Sequence, residues 1–143
     1  MTKKLKTVIS GSYRKHFKEL LLIQSFLEEE NIEVLAPTSR GIVNPKEEFI
    51  ILDEDPLTDH RTLQDSVLAK IRASSFLVVA NVDDYIGKAA TFEMGYAVSL
   101  GIQILTIETV KDPNLAGYCR LLEEVFPKWK EYKETCRKIN EYA

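Results

Sequence analysis

Ser75-Phe76-Leu77-Val78-Val79-Ala80-Asn81 is the stretch on which the fold turns. Its apolar residues run without alternation, which is the pattern of a strand covered on both faces, as in a parallel sheet. Asn81-Val82-Asp83-Asp84 follows as a loop. The segment Gly87-Lys88-Ala89-Ala90-Thr91-Phe92-Glu93-Met94-Gly95-Tyr96-Ala97-Val98-Ser99-Leu100-Gly101 then reads as a helix, and Ile102 to Ile107 as a further buried strand.

The same alternation extends toward the N-terminus. Leu5 to Ser10 is a short β-rich run that stops at Gly11-Ser12. From Arg14 to Glu30 apolar residues recur at Phe17, Leu20, Leu21, Phe26 and Leu27, which is helical spacing. Asn31 is a plausible helix end, and Ile32 to Ala36 is a second strand, halted by Pro37. A strand, a long helix and a strand point to a parallel pair with a right-handed crossover. Pro37 to Pro45 reads as a loop. Glu48 to Leu52 is either a short strand or an apolar stretch over a pocket, and Asp53-Glu54-Asp55-Pro56 is turn-like. A helix from Asp59 to Ala73 carries Leu63, Val67, Leu68 and Ile71 on its inner face.

The last third reads as helical, punctuated by Pro113 and Pro127. In its final helix Trp129, Tyr132, Cys136 and Ile139 are spaced three, four and three apart, a stripe that must be covered by its own domain or a second subunit. With no linker, repeat or low-complexity segment, residues 1–143 form one domain. The expected architecture is an α/β three-layer α/β/α sandwich with a mostly parallel sheet. Ligands in such sheets sit beyond the carboxyl ends of the strands, where strand order reverses. The loops after Ser10 and Asn81 should therefore face each other across a crevice.

Composition narrows the function. At 45% hydrophobic and 29% charged residues, with a net charge of -3, the chain reads as an ordinary soluble protein with no nucleic-acid-binding surface. The basic start, Met1 to Lys6, is followed by too short an apolar run for a signal peptide, and the uncharged stretch from Met94 to Ile107 is too short and polar to span a bilayer. A cytoplasmic location is expected, with Cys119 and Cys136 as reduced thiols. The first strand is not followed by GxGxxG, and GxxxxGK[ST] is missing, so neither a dinucleotide cofactor nor a P-loop is supported. His16 and His60 lack metal-ligand spacing, and neither a metal nor a cofactor is expected. A phosphate-receiver domain would want acids where this chain has Ser10-Gly11-Ser12.

What remains is acids, hydroxyls and glycines. Glu93 is the one charged residue between Lys88 and Glu108. On a helix it shares a face with Ala89, Ala90, Ala97 and Leu100. A carboxylate in an apolar stripe is costly unless paired, so it either reaches water or a backbone group, or is kept for chemistry. Gly11-Ser12-Tyr13-Arg14 lies at a strand-to-helix turn, where free N–H groups and an arginine suit an anion; Ser12 as a helix cap accounts for the same residues. Asp83-Asp84 also fits a turn, and Asp65 and His60 fit a solvated helix face.

The run from Ser75 to Ile102 resembles the central motif of the nucleoside 2-deoxyribosyltransferase family: an apolar strand, an Asn/Asp loop, a glycine-threonine segment, then Glu93-Met94-Gly95-Tyr96-Ala97 and a second strand. The Gly11-Ser12-Tyr13-Arg14 turn resembles the phosphate-holding loop of the related 2'-deoxynucleoside 5'-phosphate N-glycosidases. The likeness covers roughly residues 5 to 107. It implies a flavodoxin-like sheet, a homodimer, a small nucleoside or nucleotide as substrate, and Glu93 as the catalytic nucleophile. It further implies substrate contacts from Gly11, Ser12, Tyr13, Arg14, Asn81, Asp83, Asp84 and Gly87. Three positions depart from the family pattern. Val8 stands where a tyrosine is common, and Gly87 where an aspartate is. The acid of the preceding helix, which the likeness implies as the second catalytic residue, is displaced by one turn to Asp65, with Leu68 at its usual place. Cleaving an N-glycosidic bond needs a carboxylate beneath the anomeric carbon and a group to help the base depart. For Glu93 to be ionised among apolar neighbours, hydroxyl donors from Tyr13 or Ser12 are expected within bonding distance.

Overall fold

The computed structural model describes residues 4–37 and 59–142, with side chains through residue 135. The expected loop from Pro37, the Glu48–Leu52 segment and the Asp53–Pro56 turn therefore lie beyond Pro37, outside the described residues. In order come β1 (Lys6–Ser10), α1 (Tyr13–Glu29), β2 (Glu33–Ala36), α2 (His60–Arg72), β3 (Phe76–Val79), a 3-10 turn (Val82–Asp84), α3 (Lys88–Ser99), β4 (Gln103–Thr106), α4 (Pro113–Ala116), β5 (Cys119–Leu121), α5 (Leu122–Val125) and α6 (Trp129–Tyr142). The strands are ordered β2-β1-β3-β4-β5 and all neighbours pair in parallel. With helices on both faces this is a three-layer α/β/α sandwich of the flavodoxin-like kind, as the alternating sequence pattern requires.

Strand parity builds the two cores. Ile9, Val78 and Leu105 turn to one side, where they pack with Leu20, Ile23, Phe26 and Leu27 of α1 and with Trp129. Val8, Leu77, Val79 and Ile104 turn to the other, against Ile71 of α2 and Met94 and Ala97 of α3. Both faces of the central strands are thus dry, which explains their unbroken apolar runs. Ser10, two residues after Val8, shares the α2–α3 side by the same parity.

One expectation changes, and for the described residues one open alternative is decided. The last third is not wholly helical, because Cys119-Arg120-Leu121 forms an edge strand on β4. The described half of the α6 stripe is covered by its own chain: Trp129 is fully buried against Phe26, at 5.3 Å between ring centroids, and Tyr132 stacks on Trp129 at 6.0 Å. The Tyr132 hydroxyl also donates to Glu29. The Cys136 and Ile139 side chains lie outside the described residues. Among the described residues, no helix is long and apolar enough to cross a membrane.

Candidate functional site

Strand order reverses between β1 and β3, and the two strands end together. Ser10 is in register with Val79, and the Ala80 N–H donates to the Ser10 carbonyl at 2.7 Å. The loops beyond them are joined across the crevice by Lys15, whose ammonium lies 4.0 Å from the Tyr85 ring centroid, and by His16, edge-on to the same ring. Gly11 suits this approach: a Cβ there would crowd the Ala80 Cβ at 3.1 Å and its carbonyl oxygen at 3.3 Å.

Glu93 reaches the end of β1 from α3. The buried stripe of that helix is Ala90, Glu93, Met94 and Ala97. Ala89 and Leu100, expected on the same face, are exposed. Glu93 itself is only 8% exposed. Its Oε1 accepts a hydrogen bond from the Ser10 hydroxyl at 2.6 Å, and its Oε2 accepts one from the Gln64 amide at 2.8 Å. Burial pushes its carboxyl above the usual range, and the two donors act against that rise by favouring the anion. The short bond from Ser10 is the kind that forms to a charged acceptor. The result is a desolvated carboxyl group with, among the described residues, one donor on each oxygen.

The donors expected from sequence are not the ones found. Ser12 caps α1 by accepting the Lys15 N–H at 3.1 Å, and the Tyr13 hydroxyl reaches the Ile9 carbonyl at 3.4 Å. Asp65 is not brought to Glu93. It lies on the solvent side of α2, paired with Arg61 at 3.6 Å, while the adjacent Gln64 points inward. One residue along a helix is a turn of about 100°, enough to exchange the two faces. Val8, at the position of the family tyrosine, is fully buried core.

The Asn81 loop is held from within. Asn81 is fully buried, and its amide donates to Asp84 at 3.1 Å and to the Glu108 carbonyl at 3.0 Å. Its oxygen accepts the N–H groups of Ile107 and Glu108, both at 3.1 Å. All four hydrogen-bonding positions are taken, so Asn81 staples the ends of β3 and β4 together and has none left for a ligand. Asp83 and Asp84 both adopt left-handed backbone, with φ of 54° and 57°, which aspartate tolerates in turns. The Asp83 N–H donates to the Glu108 carboxylate, and the Asp84 carboxylate accepts the Lys111 N–H at 3.0 Å. The Asp83 side chain is exposed. Gly87 is the N-cap of α3 in an extended conformation open to any residue, and Arg14 is exposed in the first turn of α1.

Ser10 and Gln64 had readable signals. Ser10 follows Val8 by strand parity, and Gln64 stands three, four and seven residues before Val67, Leu68 and Ile71 on one inward stripe. Among the described residues, no group of three or more His, Cys, Asp or Glu could hold a metal ion.

No family model matches the sequence, and no curated protein matches it at a significant level. Solved structures do resemble it. The fold is similar to the CMP N-glycosidase BcmB of Clostridium botulinum, with a TM-score of 0.55 and 13% identity, over 96% of this chain and 99% of that one. It is also similar to a conserved protein from Enterococcus faecalis V583, with a TM-score of 0.51 and 18% identity, over 73% of this chain; the match spans 63% of that protein's length. At these identities what is shared is the flavodoxin-like fold.

Proposed function

We propose that this protein cleaves or transfers at the N-glycosidic bond of a nucleoside, 2'-deoxynucleoside or 5'-monophosphate, with Glu93 as the nucleophile. The observation that carries the reading is the desolvated Glu93 carboxylate, held by Ser10 and Gln64 where strand order reverses. The likeness in fold to a protein named as a CMP N-glycosidase supports it. A Glu93 oxygen would attack the anomeric carbon as the carbon–nitrogen bond breaks, and the base would leave with the bonding electron pair and take up a proton. Water, or a second base, would then displace the glycosyl group and free the carboxylate. A 5'-phosphate would sit at the Gly11–Arg14 turn, and the active molecule would be a homodimer.

A second reading, a binding module without catalysis, is favoured by one observation. Gly87 offers no acid, and Asp65 faces solvent in its pair with Arg61. Incubation with a panel of nucleosides and nucleoside monophosphates, with free base followed by chromatography, separates the two. Release of a base by the unaltered protein and not by Glu93→Gln supports the enzyme. Saturable binding without release supports the module.

A further inference from the structure

Gln64 has no role in the sequence motifs, yet its side chain crosses from α2 to meet Glu93 on α3 at 2.8 Å. We propose that Gln64 is a positioning residue for Glu93, which together with Ser10 fixes the plane of the carboxylate and holds it ready as an anion. The proposal rests on Glu93 being the nucleophile.

Three features carry it. First, the donors are divided, Ser10 on Oε1 and Gln64 on Oε2, so rotation of the carboxylate breaks both bonds at once. Second, they come from separate elements, the end of β1 and the inner face of α2, so the carboxylate is tied to the sheet on one side and to a neighbouring helix on the other. Third, an amide donates without giving up its proton. Gln64 favours the anion but cannot act as the acid for the leaving base, whereas a carboxyl in its place would compete with Glu93 for a proton.

Among the described residues, the charged groups near Glu93 leave this role to neutral donors. On α2, Arg61 and Asp65 pair with each other at the surface. On α3, Lys88 is exposed. On the α1 side, Arg14 is exposed, and Lys15 and His16 lie against Tyr85. Lys6 lies at the far end of β1 from Ser10, and β3 and β4 contain no charged residue. Among the described residues, burial pushes the Glu93 carboxyl up, and the hydrogen bonds from Ser10 and Gln64 act against that rise.

The test is the titration of the Glu93 carboxyl, followed by carbon NMR in protein labelled at glutamate and assigned by the signal lost in Glu93→Gln. Gln64→Met keeps the length and removes the donor. It should raise the Glu93 midpoint by about one pH unit, the usual consequence of losing a hydrogen bond to the charged form. Gln64→Glu should raise it further, because two carboxyls at bonding distance share one proton. Asp65→Asn, one position along, should leave it in place. In base-release assays the acid limb of the kcat/KM profile should move with these midpoints. Gln64→Met should lower kcat by roughly 10-fold to 100-fold with KM nearly unchanged. A Glu93 midpoint that stays in place in the Gln64 variants overturns the proposal, and Gln64→Glu alone decides if Gln64→Met does not fold. Absence of base release by the unaltered protein sinks the functional reading instead, since the titration is read without turnover.

Discussion

Ser10 and Glu93 stand 83 positions apart in the chain and are joined by a buried 2.6 Å hydrogen bond. One ends the first strand and the other lies mid-helix in α3, so the bond exists only once β1, β3 and α3 have assembled. It places a titratable group where burying it is costly and where a ligand of this fold would arrive.

That cost predicts how Glu93→Gln behaves. The carboxyl is pushed up in the folded protein, mainly by burial. A group whose folded pKa is raised contributes stability below its unfolded value of 4.5, and this is lost as pH rises through the folded pKa. At neutral pH, above that unfolded value, the native state therefore keeps Glu93 buried at a cost that the unfolded chain does not bear. Glu93→Gln should melt about 2–5 °C higher than the unaltered protein at neutral pH, with the gain shrinking toward pH 4. Base release should fall by several orders of magnitude in the same variant. Thermal melts across pH, paired with the base-release assay, check both. A variant that is less stable at neutral pH and equally active would contradict the site.

Gly11 gives a prediction about close approach. A methyl group there must be accommodated 3.1 Å from the Ala80 Cβ and 3.4 Å from the Leu20 Cδ1, both in the packed core. Gly11→Ala should cost about 1–3 kcal/mol by overpacking. The turn would be pushed off β3, carrying Ser10 with it, so base release should fall more than the loss of stability accounts for. Chemical denaturation and the assay together read this; an Ala variant with unaltered stability would show that the turn yields freely.

Asn81 should prove structural. Asn81→Ala strands the Ile107 and Glu108 N–H groups, which Asn81 now satisfies, while the Glu108 carbonyl keeps the Thr106 hydroxyl. A loss of about 2–4 kcal/mol is expected, since each buried unpaired polar group costs about 1–3 kcal/mol. Ligand affinity at a temperature where the variant remains folded should change much less. An Asn81→Ala protein of native stability with abolished binding would instead make Asn81 a ligand contact.

The fold was legible because its signals are local. Phe76 to Ala80 declares a doubly covered strand within five residues. In the helix after Gly87, Glu93 stands out because its neighbours are uncharged. Cys119-Arg120-Leu121 was not legible: three residues with an exposed arginine at the centre become a strand only because β4 offers an edge. The partners of Glu93 fall between these cases. Asp65 attracts notice as an acid, but helix geometry turns Gln64 inward, so the residue's face matters more than its charge.

The anion site makes its own prediction. Arg14 is exposed in the first turn of α1, and Ser12 is already occupied as the cap. If Gly11 to Arg14 receives a 5'-phosphate, nucleoside monophosphates should bind better than nucleosides, and added salt should narrow the gap. Arg14→Ala should remove the preference at a cost of about 1.5–3 kcal/mol, the usual worth of a charged hydrogen bond. Calorimetry with matched nucleoside and nucleotide pairs decides it; equal affinities in the unaltered protein would count against the phosphate.

The last prediction separates assembly from the α6 stripe. Trp129 is fully buried and packs on Phe26 within its own chain, so the described part of the stripe provides no reason for a second subunit. Trp129→Ala should therefore act as a core truncation, costing about 3–5 kcal/mol. The homodimer of the functional reading does not need Trp129, so Trp129→Ala should lower the melting temperature and leave the mass of the folded protein unchanged. Light scattering at micromolar concentration is expected to give twice the 16.3 kDa chain mass for both proteins. A mass of one chain for the unaltered protein would remove the dimer from the reading. A dimer that dissociates when Trp129 alone is truncated would return the stripe to the interface.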